Sequence, residues 1–152
     1  MDDYKTLTKS YRDFIYNITK AIYDEEVYSF FNIKIRPKNQ KNRPVIFEIN
    51  LKGDTGEGVN EVKKNLVDYL VFKYNDYMDL FIQDSACYNG IDPRQVSGML
   101  KQVGEIAKQT NKQAIIAINK YQLGNYEEVI KFVKQNSILN LSEKDKLFEF
   151  DF

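Results

Sequence analysis

The segment from Met78 to Gln95 contains the residues of this sequence that are best suited to chemistry. It reads MDLFIQDSACYNGIDPRQ, a short apolar run that ends in Asp84, followed by a turn of small residues and by Gly-Ile-Asp-Pro. An apolar run bounded in this way predicts a buried strand, and open α/β sheets bind their ligands at the carboxyl ends of such strands. Asp84 is therefore a candidate Mg²⁺ ligand in a nucleotide site.

A glycine-rich turn supplies the second candidate. Thr55, Gly56, Glu57 and Gly58 immediately precede a helical pattern that starts at Val59. A turn of this kind can point backbone N–H groups and the positive end of the helix dipole towards an anion, although a capped flexible turn is the commoner meaning. The chain has no GxxxxGK[ST] loop, so the loop and the lysine that cradle phosphates elsewhere are missing.

Composition narrows the possible chemistry. No histidine occurs in the 152 residues, which excludes Ser/His/Asp and Cys/His catalysis, HExxH zinc sites and histidine pH switches. Carboxylate-bound Mg²⁺, acid–base chemistry by carboxylates and lysine chemistry remain. The single cysteine, Cys87, excludes an internal disulfide framework and, with no signal-like amino terminus, predicts a cytoplasmic location.

Charge and hydropathy set further limits. The 22 basic and 22 acidic residues cancel, so no overall field favours nucleic acid or an anionic membrane. No apolar run approaches the roughly 20 residues that span a bilayer, and we expect no membrane as a partner. An apolar content of 43% is ample for the core of one domain of this length.

The first 25 residues predict an amphipathic helix. Its apolar side chains recur with a 4-3-4-3 spacing at Tyr4, Leu7, Tyr11, Phe14, Ile18 and Ala21. Such a stripe fits a helix packed on its own domain, and it also fits the last turns of a coiled-coil arm. We adopt the second interpretation for the domain division, with the end of an arm at residues 1–25 and a single α/β lobe at residues 26–152.

The next segment predicts an antiparallel hairpin with a basic loop. Val27 to Ile35 and Pro44 to Leu51 are rich in β-branched and aromatic residues. Basic residues gather between the strands within residues 34–43, at Lys34, Arg36, Lys38, Lys41 and Arg43. These charges can contact the phosphates of DNA, or they can keep a hairpin soluble and prevent edge pairing, and both meanings stay open.

From the glycine turn onward, helices alternate with strands. The predicted elements are a helix from Val59, a strand up to Asp84, a helix capped by Asp92 with Pro93 in its first turn, a strand at Gln113 to Ile118, a helix at Tyr126 to Val133 and a closing strand at Leu147 to Phe152. This alternation predicts parallel strands with crossover helices. The expected fold class is α/β, a mixed and mainly parallel sheet with flanking helices, an amino-terminal antiparallel hairpin and a helical stub.

With its elements in this order, the chain resembles the carboxyl-terminal half of the ATPase head of SMC-like, coiled-coil ABC-type ATPases, in a poorly characterised bacterial branch. The likeness covers approximately Tyr4 to Phe152. It is carried by the glycine turn, by DLFIQD ending at Asp84, by Gly-Ile-Asp ending at Asp92 and by the strand ending at Asn119. In that family a phosphate loop (Walker A) near the amino terminus and a long coiled coil precede this lobe, so we expect the chain to begin at the returning arm.

The resemblance implies a role for each motif. Asp84 corresponds to the Walker B aspartate that holds Mg²⁺, and residues 55–58 correspond to the signature turn that meets ATP on an opposing head. Asp92 lies in the counterpart of the D-loop. Asn119 stands in place of the switch histidine and Ser85 in place of the catalytic glutamate. The candidate catalytic residues are therefore Ser85, Asp92 and Asn119.

The resemblance also implies cofactors and partners. ATP and Mg²⁺ are expected only in the assembled head, which requires an amino-terminal Walker A lobe and a second head as a homodimer. The implied activity is ATP hydrolysis in DNA maintenance, repair or defence, and the isolated chain is expected to be inactive. Two alternatives stay open: a non-enzymatic interaction or oligomerisation module, and a Mg²⁺-dependent nuclease using Glu48, Asp54 and Asp84.

Overall fold

The computed structural model of the chain describes residues 2–23, 28–35, 45–53 and 55–142, with the side chains of the first helix described from Thr8 onward. Within these ranges the elements are α1 (Asp2–Tyr23), β1 (Tyr28–Ile35), β2 (Val45–Lys52), α2 (Val59–Tyr74), β3 (Leu80–Gln83), α3 (Pro93–Thr110), β4 (Gln113–Ile116) and α4 (Glu127–Asn136). Two 3₁₀ turns, Ser85–Tyr88 and Lys120–Leu123, follow β3 and β4. None of the helices in these ranges is long and apolar enough to span a bilayer.

The strands β1 and β2 form the hairpin that the sequence predicts. They are antiparallel, with Tyr28 opposite Lys52 and Ile35 opposite Val45. Alternation of the side chains directs Phe31 and Ile49 into the core, where they are 4% and 7% exposed, and α1 packs against β1. The hairpin is therefore attached to the rest of the molecule by one face, and its other face points outward.

The first helix is part of the hydrophobic core from its middle onward. Ile15, Ile18 and Ile22 are at most 3% exposed, because this part of α1 contacts α3, β1 and α2. The sequence predicted the helix and its period correctly, and Tyr11, Phe14 and Ile18 of its stripe lie in or against the core. The buried face is wider than the stripe, since Ile15 and Ile22 are also buried, and the predicted Ala21 is exposed. The reason is that three neighbouring elements cover a wider face than the narrow seam of a coiled coil.

The approach of α3 to the end of α1 depends on a glycine. A Cβ atom placed on Gly98 would lie 2.8 Å from Cα and 3.0 Å from the carbonyl oxygen of Ile22. No side chain fits in this gap, so the backbones of the two helices are in direct contact. The coiled-coil arm remains a prediction, whereas the carboxyl-terminal half of α1 is packed into the domain.

The strands β3 and β4 are parallel and are connected through α3, as the alternating pattern predicts. The inner side of this pair presents the buried Phe81, which stacks on Phe72 of α2 with ring centres 4.8 Å apart. In the described residues, however, the sheet does not become mainly parallel, because the parallel pair and the hairpin form two separate two-stranded sheets. The predicted closing strand at residues 147–152 lies outside the described residues.

Candidate functional site

Asp84 follows β3 directly and caps the 3₁₀ turn after it. Its Oδ1 atom accepts hydrogen bonds from the backbone N–H of Ala86 at 2.9 Å and from the hydroxyl of Ser85 at 3.1 Å. The bond from Ala86, and then the bond from Ser85, lower the pKa of the Asp84 carboxyl. The side chain is exposed and ionised at neutral pH, and its capping role explains an Asp at this position without a metal ion.

Buried side-chain amides and a tyrosine hydroxyl form hydrogen bonds that fix this turn on its inner side. Gln83, the last residue of β3, is 4% exposed; its Nε2 atom donates to Oδ1 of Asn65, and its Oε1 atom accepts a bond of 2.6 Å from the hydroxyl of Tyr88. Asn65 in turn donates to the carbonyl oxygen of Cys87 at 2.8 Å. The turn is thus fixed to α2, the helix that follows the glycine turn, by hydrogen bonds in a region of low dielectric constant.

The loop after β4 is attached to the same turn. Gln122, 4% exposed, donates from Nε2 to the carbonyl oxygen of Ser85 at 2.8 Å and to Oδ1 of Asn89 at 3.0 Å. Its Oε1 atom accepts from the backbone N–H of Asn119 at 2.9 Å, and Asn119 begins the second 3₁₀ turn. The two loops at the carboxyl ends of the parallel strands are therefore joined by one buried side chain.

The glycine turn lies against the Gly-Ile-Asp segment. Gly58 is buried, and a Cβ atom on it would overlap the carbonyl oxygen of Gly90 and come within 2.7 Å of Cα of Ile91. Gly58 has φ −75° and ψ −6°, a conformation open to any residue, so the close approach of the two backbones is what requires glycine. Thr55, Gly56 and Glu57 are exposed on the outer side of this contact.

Asp92 acts as the cap of α3. Its carboxylate accepts a bond of 2.8 Å from the backbone N–H of Arg94, and it also binds the Arg94 guanidinium, with Nε 3.1 Å from Oδ1. The Arg94 side chain, and then its backbone N–H, lower the pKa of Asp92. Asp92 therefore carries a negative charge at neutral pH and is occupied as a helix cap.

All four motif segments meet at residues 83–92. Asn65 of α2 bonds to this segment at Cys87, the glycine turn packs on Gly90, and Gln122 brings the Asn119 loop onto Ser85. The motifs were identified from the sequence, but the polar side chains that connect them were missed. Gln83 in an apolar strand and Asn65 on the apolar face of a helix were the available signals, because a polar residue in a buried position needs a partner.

One further carboxyl lies beside this network. Burial raises the pKa of Asp68 on α2, and a hydrogen bond with Gln83 offsets this in part, although much of the residue is exposed. In the part of the chain that the structure describes, no three Asp, Glu, Cys or His side chains are grouped so that they could hold a metal ion. Asp84 by itself could supply one carboxylate ligand to Mg²⁺, and nucleotide phosphates and water would have to supply the others.

The nuclease hypothesis gains no support from the described residues. Glu48 lies on the hairpin and forms an ion pair with Lys34, with 2.7 Å between Oε2 and Nζ. Asp54, the second member of the supposed trio, lies outside the described residues.

A comparison with protein families places residues 18–152 in one family model. The chain belongs to the family described as an uncharacterised protein conserved in bacteria (DUF2326). The DUF2326 match starts within α1 and includes Ile18 and Ile22 of the core, the hairpin, and every motif that meets at residues 83–92. Searches among curated proteins and among solved structures found no match.

Proposed function

We propose that this chain is the carboxyl-terminal half of an ATPase head of the SMC-like, coiled-coil ABC type, which binds ATP and Mg²⁺ after a lobe with a phosphate loop completes it. The observation that carries the proposal is the exposed apolar outer face of the parallel strands β3 and β4. On its outer face Leu80, Ile82 and Ile115 are 44%, 66% and 37% exposed. Parallel sheets are normally covered on both faces, and a sheet seldom consists of only two strands.

The position of this bare face favours a nucleotide head. In the described residues each strand of the pair has one partner, so one edge of β3 and one of β4 are free to extend the sheet. Asp84 and Asn119 follow the carboxyl ends of these same strands. A strand added beside β3 in parallel, with a phosphate loop after it, would bring phosphates next to Asp84, where open α/β sheets bind ligands.

The residues of this lobe suggest which steps it can support. When bound, Mg²⁺ would offset the charge of the phosphates, and the ionised Asp84 would be one of its ligands. The Ser85 hydroxyl, which donates to Asp84, can orient a water molecule but is not a base at neutral pH, and the Asn119 amide takes no proton. Hydrolysis in this proposal is slow, or it uses a base from the other lobe or from the second head.

The biological setting of the proposal follows from the resemblance. Heads of this type pair so that ATP lies between the nucleotide site of one and the signature turn of the other, here residues 55–58. A homodimer of complete heads, in a cytoplasmic protein for DNA maintenance, repair or defence, is the corresponding proposal for this chain.

A non-enzymatic interaction module is the second candidate, and a specific observation favours it. Gly58 is explained by its packing on Gly90, and Asp84 and Asp92 are explained as caps of the elements that follow them. Each of these three motif residues thus has a structural role that needs no nucleotide. In this alternative the bare face of the parallel pair binds another protein and the lobe performs no chemistry.

The experiment that tests the proposal combines this chain with a lobe that carries GxxxxGK[ST], encoded in the same gene or upstream of it. Calorimetry with Mg-ATP should show no binding tighter than millimolar for the chain alone and micromolar binding for the complex. Asp84→Asn should abolish Mg²⁺-dependent turnover in the complex without preventing assembly. Turnover by Asp84→Asn at the parental rate would refute the ATPase assignment.

Substitution of the bare face tests assembly separately. Ile82→Thr keeps a β-branched side chain and should leave the unfolding midpoint of the isolated chain nearly unchanged, because Ile82 is 66% exposed. It should weaken association with the phosphate-loop lobe at least tenfold in a pull-down titration. Ile138→Thr, at a side chain 87% exposed after α4, is the matched control and should not affect association. Equal association of both variants would mean that this face does not receive the lobe.

A further inference from the structure

The main chains of Ser85 and Asn119 are bonded to one side-chain amide. Nε2 of Gln122 donates to the carbonyl oxygen of Ser85 at 2.8 Å, and Oε1 of Gln122 accepts from the backbone N–H of Asn119 at 2.9 Å. Ser85 lies in the loop after β3 and Asn119 in the loop after β4, the two parallel strands of one sheet. The distance between these two main chains is therefore limited to two hydrogen bonds and the width of one amide group.

This connection requires a long side chain that both donates and accepts. The carbonyl oxygen of Ser85 can only accept and the N–H of Asn119 can only donate, which settles the orientation of the Gln122 amide. The second hydrogen on Nε2 is bonded to Oδ1 of Asn89 at 3.0 Å. A carboxylate lacks the donors, and a lysine or an arginine lacks the acceptor. The chemistry of its three partners therefore selects glutamine at position 122.

The bonds of Gln122 leave the side chains of both loops available to a ligand. Gln122 is 4% exposed and is bonded to main-chain atoms of the two residues, whereas the side chain of Asn119 is exposed and Ser85 is half-buried. Hydrogen bonds in a buried position are strong, and a lost partner is costly there. Such an arrangement is suited to hold two reactive groups at a fixed spacing while they contact a ligand.

We propose that Gln122 is a positioning residue of the nucleotide site, which holds Ser85 and Asn119 so that their side chains contact the same nucleotide. The inference rests on the proposed ATPase function, and Gln122 acts through the two main chains without touching the nucleotide itself. All of its contacts lie in the described residues. By contrast, the basic loop that the sequence connects with DNA lies mainly in residues 36–44, outside the described residues.

Amide hydrogen exchange in the 152-residue chain tests the connection without any nucleotide. The backbone N–H groups of Ala86 and Cys87 report on the turn after β3, because they are bonded to Oδ1 and to the carbonyl oxygen of Asp84. The N–H of Asn119 reports on the loop after β4. Gln122→Met should accelerate exchange at both places by at least about tenfold, because each loop then opens independently.

A second variant separates the two halves of the connection. Gln122→Glu keeps the size of the side chain and an acceptor for Asn119, but at neutral pH it has no hydrogen for Ser85. We expect faster exchange at Ala86 and little change at Asn119. Gln135→Glu, at an exposed amide of α4, makes the same change of charge and should alter neither.

Turnover by the complex with the phosphate-loop lobe tests the positioning role. Gln122→Met should lower kcat by about tenfold to about a hundredfold, because a small misplacement of catalytic groups has an effect of this size. The KM for Mg-ATP should change by less than about threefold, since Gln122 does not contact the nucleotide. Rates are divided by the number of Mg-ATP sites found by calorimetry, so that a partly unfolded variant does not imitate the loss.

A double-mutant cycle distinguishes positioning from a purely structural role. In the parent complex, Ser85→Ala and Asn119→Ala should each lower kcat, and their joint effect should differ from the product of the single effects by at least about threefold, because both side chains contact one ligand. In the Gln122→Met background the joint effect should equal that product within about twofold. A residue that only stabilised the fold would leave the coupling between Ser85 and Asn119 unchanged.

Three results would overturn the proposal, and they differ in what they leave standing. Unchanged exchange at either loop in Gln122→Met would refute the connection, whether or not the complex hydrolyses ATP. The expected exchange without turnover by the parent complex would refute the ATPase proposal and, with it, the positioning role. Turnover by the parent complex with the same Ser85–Asn119 coupling in both backgrounds would refute the positioning role alone.

Discussion

The side-chain amide of Gln122 donates a hydrogen bond of 2.8 Å to the main-chain oxygen of Ser85. Through this bond, and through its bond to Asn89, the loop after β4 supports the turn that begins at Asp84. The position and rigidity of Asp84 therefore depend on a residue 38 positions away along the sequence, by the difference of their residue numbers. This relationship leads to the first prediction.

Replacement of Gln122 by Met should loosen the Asp84 turn. Met fills a similar volume but leaves the Ser85 oxygen and the Asn119 N–H without this partner, at a cost of about 1–3 kcal/mol. Cys87 lies in the turn and is the only cysteine of the chain, so its labelling by a maleimide reports on opening of the turn. We expect labelling to become about tenfold faster. Gln135→Met, at an exposed amide of α4, should not change it, and an equal rate in Gln122→Met would contradict the bracing role.

Two glycines of α3 should respond in opposite directions to the same substitution. Gly98→Ala forces a methyl group against the Ile22 backbone and should lower the free energy of unfolding by about 1–3 kcal/mol. Gly104→Ala meets only the ring edge of Phe132, at 3.4 Å, and should raise it by roughly 0.5–1 kcal/mol through helix propensity. Urea denaturation of both variants is the measurement. If the two variants are equally stable, α1 does not pack on α3 in solution and behaves as an independent arm.

Gly58→Ala should destabilise the fold before it affects any ligand. The added methyl group overlaps the Gly90 carbonyl, and backbone there cannot rotate away as a side chain can, so we expect a loss of about 1–3 kcal/mol in urea denaturation. Glu57→Ala, at the exposed neighbouring position, should change stability by less than about 0.5 kcal/mol. A neutral Gly58→Ala would show that the turn and the Gly-Ile-Asp segment are not in contact, and it would restore the phosphate-approach explanation for this glycine.

Alkaline pH should destabilise the protein through Tyr88. Burial raises the pKa of this phenol from 10.0 to about 12, so between these values the unfolded chain releases a proton that the folded chain retains. Stability is unaffected by this group below pH 10.0 and falls as the pH rises towards about 12. The urea midpoint measured at pH 9 and at pH 11 should fall less in Tyr88→Phe than in the parent. The same fall in both would assign the alkaline effect to other groups, of which buried Tyr69 is the first to examine.

Local signals in the sequence were sufficient for most of the elements. The segments rich in β-branched residues predicted the hairpin, with the start of β1 and the end of β2 each one residue from their observed positions. Asp92 followed by Pro93 predicted the start of α3 correctly. Such signals work because a cap, a proline or a strand-forming run acts within a few residues. The strand after α3 was predicted two residues too long, since Ala117 onward leads into the turn that Asn119 caps.

Contacts between elements could not be predicted in the same way. The buried face of α1 was predicted too narrow, and Ala21 was wrongly placed on it, because the width of this face depends on three neighbouring elements that sequence spacing does not reveal. The extent of the sheet was overestimated because alternation of helices and strands predicts parallel pairing but not which strands share a sheet. The exposed rings of Tyr28 and Phe30 next to lysines were likewise missed, since strand pairing, and not sequence proximity, brings Lys52 over Phe30.

By itself, the sequence determined the kinds of residue available and their order: no histidine, one cysteine, a glycine turn, Asp84 after an apolar strand, and Asn119 after the next. Tertiary structure alone decided that these motifs meet at residues 83–92, and that Gln83, Asn65 and Gln122 connect them. It also decided that Gly58 is required by contact with Gly90. The physical reason is that caps and strand propensities act over a few residues, whereas burial of an amide and contact between backbones depend on segments far apart in the chain.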